Sequence, residues 1–271
     1  VEPVVSAHRW VWRESGLSEG DRIVPEETAL ALSYDAGTYA VMMGTPQDVE
    51  DFAVGFSLTE GIIDSVSDIG SLEIVPQDEG VELRMWLAKS NAERLQQRRR
   101  HIAGPTGCGL CGIDSIVEAM KPVAIVGTGI HVMPRQIMAA MQSLQSLQKL
   151  NTITRAVHAA AFWQPDREIA EIREDVGRHN ALDKLAGALA RKNIGAGSGA
   201  VLLTSRVSVE MVQKTASMGA SIIVSVSAPT ALAIKMAERA GITLAAIARA
   251  DGFEIFTHTH RISSGEVTNV A

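Results

Sequence analysis

The chain has 271 residues, 46% of them apolar and 21% charged, with a net charge of −6 and a pI near 5.7. That is enough apolar material for one large or two moderate domains, and the negative balance argues against nucleic acid as a partner of the whole surface while leaving room for a local basic pocket. Two cysteines do not make a disulfide scaffold, no apolar run is long enough to cross a bilayer, and residues 1–13 lack a signal-peptide core, so the expectation is a soluble cytoplasmic protein with no membrane partner.

Residues 1–20 read as extended or poorly ordered, with the core beginning near Asp21. The β-compatible runs Ala29 to Tyr34 and Tyr39 to Met43 flank Asp35-Ala36-Gly37-Thr38 and read as a hairpin. Thr45-Pro46 is expected to open a helix, threonine capping and proline taking the first position. Phe52, Val54, Phe56 and Leu58 would give it an apolar side, and it would end near Gly61. Leu72 to Val75 and Val81 to Leu87 read as strands, and Asn91 to His101 as a helix ending in Arg98-Arg99-Arg100. That arginine run is either a solvated face or a patch for acidic or phosphate groups. Residues 1–104 form, on this reading, a smaller N-terminal α+β domain.

Both cysteines lie in Gly104-Pro105-Thr106-Gly107-Cys108-Gly109-Leu110-Cys111-Gly112. Glycine at that density suits no core strand or helix, so residues 105–125 read as a mobile cysteine loop and connector. The helix-compatible run Ile113 to Met120 follows at once, with Asp114 in its first turn. A helix start just after Cys111 lowers a nearby thiol's pKa from about 8.5 toward neutrality. Four chemistries stay open: inert cysteines, half of a zinc site, a redox pair, and covalent sulfur or acyl carriage by a thiolate. Zinc needs about four ligands; there is no second cysteine pair, and His101, His131, His158 and His179 show no tight spacing. A thioredoxin-like pair should follow a strand, whereas Arg94 to His101 is helical in character. Carriage is therefore the leading reading.

Lys121 to Met133 reads as a connector. Pro134 to Leu150 reads as a helix on the spacing of Ile137, Met138, Met141 and Leu144. Val157 to Trp163 and Glu168 to Glu174 read as strands joined across Gln164-Pro165-Asp166-Arg167. Glu174-Asp175-Val176-Gly177-Arg178-His179-Asn180 leads into a helix, Ala181 to Arg191. Asp175 and His179 either cap that helix, or His179 and Arg178 line a thiol or ligand site. Three strands follow, Ala200 to Thr204, Ile222 to Val226 and Thr243 to Ala248, with helices Ser208 to Met218 and Ala231 to Ala240 between them. Alternation of this kind gives a parallel sheet with right-handed crossovers. The loops holding Ser205-Arg206, Ser227-Ala228-Pro229-Thr230 and Arg249-Ala250-Asp251-Gly252 then share one edge, where α/β sheets bind ligands. Two of them lead into helix N-termini, whose free amides suit phosphate. They are candidates for a phosphorylated, nucleotide-like ligand; the plain alternative is that the serines are only helix caps.

Four motifs in order, Thr106 to Gly112, Glu174 to His179, Glu210-Met211-Val212-Gln213-Lys214 and Val226 to Thr230, closely resemble the FdhD family of formate dehydrogenase accessory sulfurtransferases. The resemblance runs from about Asp21 to the C-terminus. It implies an α/β protein whose residues 126–271 are cytidine-deaminase-like. His158-Ala159-Ala160 falls where a deaminase would carry His-x-Glu, and the missing glutamate argues against zinc-dependent deamination. The resemblance further implies transfer of sulfur, as a persulfide, from a cysteine desulfurase to the bis-guanine-dinucleotide molybdenum cofactor, with GDP as a mimic of that cargo. The client is a formate dehydrogenase apoenzyme and the carrier a homodimer. Cys108 would carry the sulfur and Cys111 hold or resolve it. Cargo-binding positions would be Ile247, Ala248, Arg249, Ala250, Asp251 and Gly252, with Ser205, Arg206 and Ser227. Many relatives carry a basic residue where Gly252 stands, which leaves Arg249 and backbone amides as the binders. A cofactor-binding chaperone without obligatory thiol chemistry is the competing function.

Overall fold

The computed structural model describes residues 1–88, 123–165 and 167–263. Cys108 and Cys111, the expected helix 91–101 with its arginine run, the stretch 113–120 and Asp166 lie outside the described residues.

Residues 1–20 are extended but paired. Strands β1 (Val4–Arg13) and β2 (Gly16–Pro25) form an antiparallel hairpin from Val4 opposite Pro25 to Arg13 opposite Gly16. Its side chains are mostly exposed, Trp12 at 74%, so no buried stripe marks the strands in the sequence. Paired backbone holds them, and the Arg22 guanidinium donates to the Thr154 carbonyl at 3.1 Å.

Strands β3 (Thr28–Tyr34), β4 (Gly37–Gly44), β5 (Ile69–Gln77) and β6 (Gly80–Leu87) make a second sheet in the order β4-β3-β6-β5. The expected hairpin is present with a two-residue turn. Asp35 and Ala36 both have positive φ, 48° and 63°, the handedness that matches strand twist. Helix α1 (Val49–Thr59) covers this sheet; Phe52 and Phe56 pack with Leu30, Leu32, Tyr34, Leu83 and Met85. The helix does not open at Thr45-Pro46; Asp48 is its N-cap. Thr45 is instead held at a tertiary junction by its amide, its hydroxyl and its carbonyl, which bond to Asp175, Val176 and Lys184. Those contacts outweigh a local capping preference.

The third sheet carries six strands. β7 (His158–Trp163), β8 (Ile169–Asp175), β9 (Ala200–Leu203), β10 (Ile222–Ser225), β11 (Thr243–Arg249) and β12 (Gly252–Ile255) lie in the order β12-β11-β10-β9-β7-β8. β9, β10 and β11 are parallel, as expected; β7, β8 and β12 are antiparallel to their neighbours. The segment after β11 is thus a hairpin turn at Ala250 and Asp251, with β12 as an unforeseen edge strand. Helices α2 (Pro134–Leu147) and α3 (Lys149–Thr154) replace the single helix expected over 134–150, with the break at Gln148. Helices α4 (Arg178–Arg191), α5 (Val209–Met218) and α6 (Ala231–Ala240) complete the chain. Alternate strand residues face opposite ways: Phe162, Val201, Leu203, Ile223 and Leu244 pack on α4, α5 and α6, while Ala161, Leu202, Ile222, Val224 and Ala245 pack on α2. The result is a mixed α/β protein with three layers around the large sheet.

The two larger sheets are joined through α1 and α4, which cross at glycines. A Cβ on Gly55 would lie 1.7 Å from the Asp183 carbonyl oxygen, and one on Gly187 would lie 1.9 Å from that of Asp51. Asp51 bonds Arg173 on β8 at 2.7 Å and Arg191 on α4 at 2.5 Å.

Candidate functional site

The segment from Asp175 to Asn180 sits where β8 turns into α4. Asp175 and Lys184 are fully buried and 2.6 Å apart. The Asp175 carboxylate also accepts from the amides of Thr45 and Gly177, at 3.0 and 2.7 Å, and from Asn180 Nδ2 at 3.1 Å. Lys184 donates to the Thr45 carbonyl and Asn180 Nδ2 to the Met43 carbonyl. A buried charge is tolerated only when paired and bonded in this way. Asp175 is therefore a structural pin that fixes the N-terminus of α4 against the β4–α1 connection.

His179 does not cap α4. Its side chain is 8% exposed, and its Nε2 lies 4.0 Å from Glu210 Oε2 in the first turn of α5. Among the described residues both atoms are buried without a hydrogen-bond partner, as are Arg178 Nε and the Ser208 hydroxyl. Ser208 occupies the N-cap of α5 yet makes no side-chain capping bond. Burial, with the charges of Arg178 and Lys214, pulls the His179 pKa down to about 4, so the ring is neutral at pH 7. Behind it, Lys214 bonds Asp183 at 3.0 Å and Glu60 at 2.9 Å. Burial alone would lower the Lys214 pKa, but the two carboxylates outweigh it and hold it up. His158, at the head of β7, is half-buried; burial and then the Arg178 charge lower its pKa.

The carboxyl edge of the parallel strands is knitted by its own loops. The Ser225 hydroxyl donates to the Ser205 carbonyl at 2.6 Å, the Thr230 amide to the Val207 carbonyl at 3.0 Å, and the Ile247 amide to the Ser227 carbonyl at 3.3 Å. Ser205 is buried with its hydroxyl toward the Arg206 carbonyl, and Ser227 is half-buried. Neither caps a helix; Thr230 does, accepting from the Ala233 amide at 3.2 Å. Arg206 and Arg249 are exposed at this edge, as are Ala250 and Asp251, while Ala248 is buried. Ile247 and Gly252 have positive φ, 55° and 149°, around the irregular pairing of β11 with β12.

A model of the FdhD/NarQ family matches residues 25–263. The chain belongs to the FdhD/NarQ family. It is 51% identical over 257 residues to the sulfur carrier protein FdhD of Agrobacterium fabrum, covering 94% of each chain. It is 50% identical over 256 residues to the sulfur carrier protein FdhD of Brucella abortus, covering 94% and 95%. Its fold resembles a crystal structure from Desulfotalea psychrophila, provisionally described as a formate dehydrogenase accessory protein: TM-score 0.74, 27% identity, 97% and 100% coverage.

In this FdhD/NarQ family chain the sequence-derived positions fall into three places. Ser205, Arg206, Ser227 and residues 247–252 share the carboxyl edge; Cys108 and Cys111 lie outside the described residues; Arg178 and His179 stand at the start of α4. Glu210, Lys214 and Lys184 are the residues that sequence reasoning leaves without a role, and Thr45 is read there only as a helix cap. Glu210 and Lys214 lie in a motif that carries the family resemblance, which was a signal. Nothing local marks Lys184, and the local Thr45-Pro46 pattern does not reveal the junction role of Thr45, whose partners Asp175, Val176 and Lys184 are 130 or more residues away.

Proposed function

We propose that this FdhD/NarQ family chain is a sulfur carrier acting for formate dehydrogenase, taking sulfur from a cysteine desulfurase as a persulfide on Cys108 and passing it to the bis-guanine-dinucleotide molybdenum cofactor. The observation that carries the reading is near-full-length identity of about half to proteins named sulfur carriers, in a chain whose two cysteines both lie between Thr106 and Gly112. Glycines 107, 109 and 112 suit a narrow segment that must meet a donor and then an acceptor. Cys111 holds or resolves the sulfur. The cargo lies at the carboxyl edge, on Ser205, Arg206, Ser227 and residues 247–252. Exposed Arg206, just before the N-cap of α5, and exposed Arg249, at the end of β11, support a phosphate-bearing ligand there.

On this reading the carrier works in the cytoplasm as a homodimer. Its parts are residues 1–104, the connector 105–125, and a cytidine-deaminase-like unit over 126–271, whose order of helix, hairpin, helix, strand, helix, strand, helix, strand suits that fold. The exposed arginine edge also favours a second reading, a chaperone that shelters the cofactor without obligatory thiol chemistry. Reconstitution of formate dehydrogenase with the chain, a desulfurase and cysteine separates the two. Carriage requires activation to vanish with Cys108→Ala. Activation that survives Cys108→Ala together with Cys111→Ala would leave the chaperone.

A further inference from the structure

The hairpin of β1 and β2 contributes no residue to the sites above, yet one of its faces is strongly apolar. Register and alternation put Ser6, His8, Trp10 and Trp12 on that face, opposite Ile23, Asp21, Glu19 and Leu17. The His8 ring meets the Trp10 ring edge-on and lies 3.3 and 3.4 Å from the Glu19 and Asp21 carboxylates. Trp10, Trp12 and Leu17 are 61%, 74% and 64% exposed; large apolar residues exposed together mark an interaction surface, whereas single ones do not. β1 also has an open edge. It shares a two-stranded sheet with β2, and among the described residues no backbone hydrogen bond reaches its other side. A two-stranded ribbon is marginal by itself, and open edges are ordinarily guarded by lysine, proline, a bulge or shortness. β1 has none of these: its ten residues, VVSAHRWVWR, run in unbroken register. β2 is better guarded, with Pro25, the carboxylates Glu19 and Asp21, and Arg22 tied to α3.

We propose that β1 is the seam of the homodimer, pairing antiparallel with β1 of a second copy to make one sheet, β2-β1-β1-β2, across a two-fold axis. The proposal rests on the homodimer reading above and adds the strand that makes the contact. Charge selects the register. A two-fold normal to the sheet sets residues of the same face opposite one another about a central residue. Centring on Arg9 would set arginine against arginine, and centring on Val11 would set Arg9 against the partner's Arg13; like charges directly opposite are unfavourable. Centring on His8 leaves Trp10 beside the partner's Ser6. Centring on Trp10 sets the two Trp10 rings side by side, Trp12 opposite the partner's His8, Arg9 opposite the partner's Val11 and Arg13 opposite the partner's Ala7. In that register aromatic meets aromatic and the arginines stay apart, so the strand is complementary to itself. Main-chain bonds along the edge supply the rest of the attraction.

The test uses the full chain with Cys108→Ala and Cys111→Ala, so that no native thiol crosslinks. Sedimentation equilibrium reads the dimer dissociation constant. Trp10→Lys sets two ammonium groups against each other at the axis and should raise that constant about tenfold or more, with the circular dichroism spectrum held. Leu17→Lys, the same charge on the same face but on β2, should leave it nearly unchanged. Trp10→Cys should form a disulfide between chains on mild oxidation, because directly opposite antiparallel positions bring Cα atoms to about 4.5–5.5 Å, within disulfide reach; Leu17→Cys should not. No weakening by Trp10→Lys, equal weakening by the two lysines, or crosslinking through position 17 rather than 10 would each overturn the seam while the homodimer stands. A chain that sediments as a monomer at every concentration would overturn the seam and the homodimer together.

Discussion

Asp175 and Lys184 show what single residues do in this chain. Their charges are fully buried, and the partners that make burial tolerable come both from nearby, at Gly177 and Asn180, and from the remote Thr45. Lys184→Met would strand the Asp175 carboxylate, and we expect a loss of about 3–5 kcal/mol, read as a lower midpoint in urea unfolding with an unchanged slope. A midpoint unmoved by the change would remove the pin. His179 makes a prediction in pH. Its folded pKa of about 4 lies below the 6.5 of an unperturbed histidine, so the unfolded chain takes up the proton first as pH falls. Its contribution to stability is complete above pH 6.5 and declines toward pH 4. Arg178 and Lys214 oppose protonation, while Glu210 and Glu60 favour it. His179→Gln should flatten stability across that window, and an unchanged slope there would contradict a buried neutral ring. At this scale the sequence was partly legible. The segment Glu174 to Asn180 stands out as a motif, but it does not show that Asp175 is structural while the His179 Nε2 is buried without a hydrogen-bond partner among the described residues.

Elements were legible where local chemistry and tertiary demand agreed. α5 and α6 end at Gly219 and Gly241, both in the left-handed conformation that terminates helices, with φ of 80° and 74°. The apolar runs at β9 and β10 are strands buried on both faces. Elements were misread where a distant partner intervened. Thr45 is drawn into the Asp175 cluster, which delays α1. The Glu174 carboxylate accepts from the amides of Leu150 and Asn151, both at 2.8 Å, so a new helix, α3, starts beyond the break at Gln148. β12 is only four residues long and partly exposed, too short for alternation to reveal. The crossing of α1 and α4 gives the element-scale prediction. A methyl group on Gly187 would meet the Asp51 backbone, which cannot rotate away, so Gly187→Ala should cost about 1–3 kcal/mol or more in calorimetric unfolding. A variant as stable as the parent would mean that the helices do not approach so closely.

At the scale of the whole molecule, the three-layer arrangement of the large sheet follows from its apolar strand pattern, and the parallel order of β9, β10 and β11 brings Ser205, Ser227 and Arg249 to one edge. That much could be read from alternating strands and helices. The union of the two larger sheets could not, because it depends on glycines and buried charges that meet only in the folded chain. The motifs pointing to the family were legible because they combine unusual residues at fixed spacing: glycines about two cysteines, and the run from Glu174 to His179. The functional account turns on what the first thiol of the cysteine run carries. Mass spectrometry of the cysteine peptide, after the chain has reacted with a desulfurase and free cysteine, reads this directly. The account requires a gain of one sulfur atom on Cys108, absent from Cys108→Ala. An unmodified peptide in the wild-type chain, or the same gain in the variant, would contradict it.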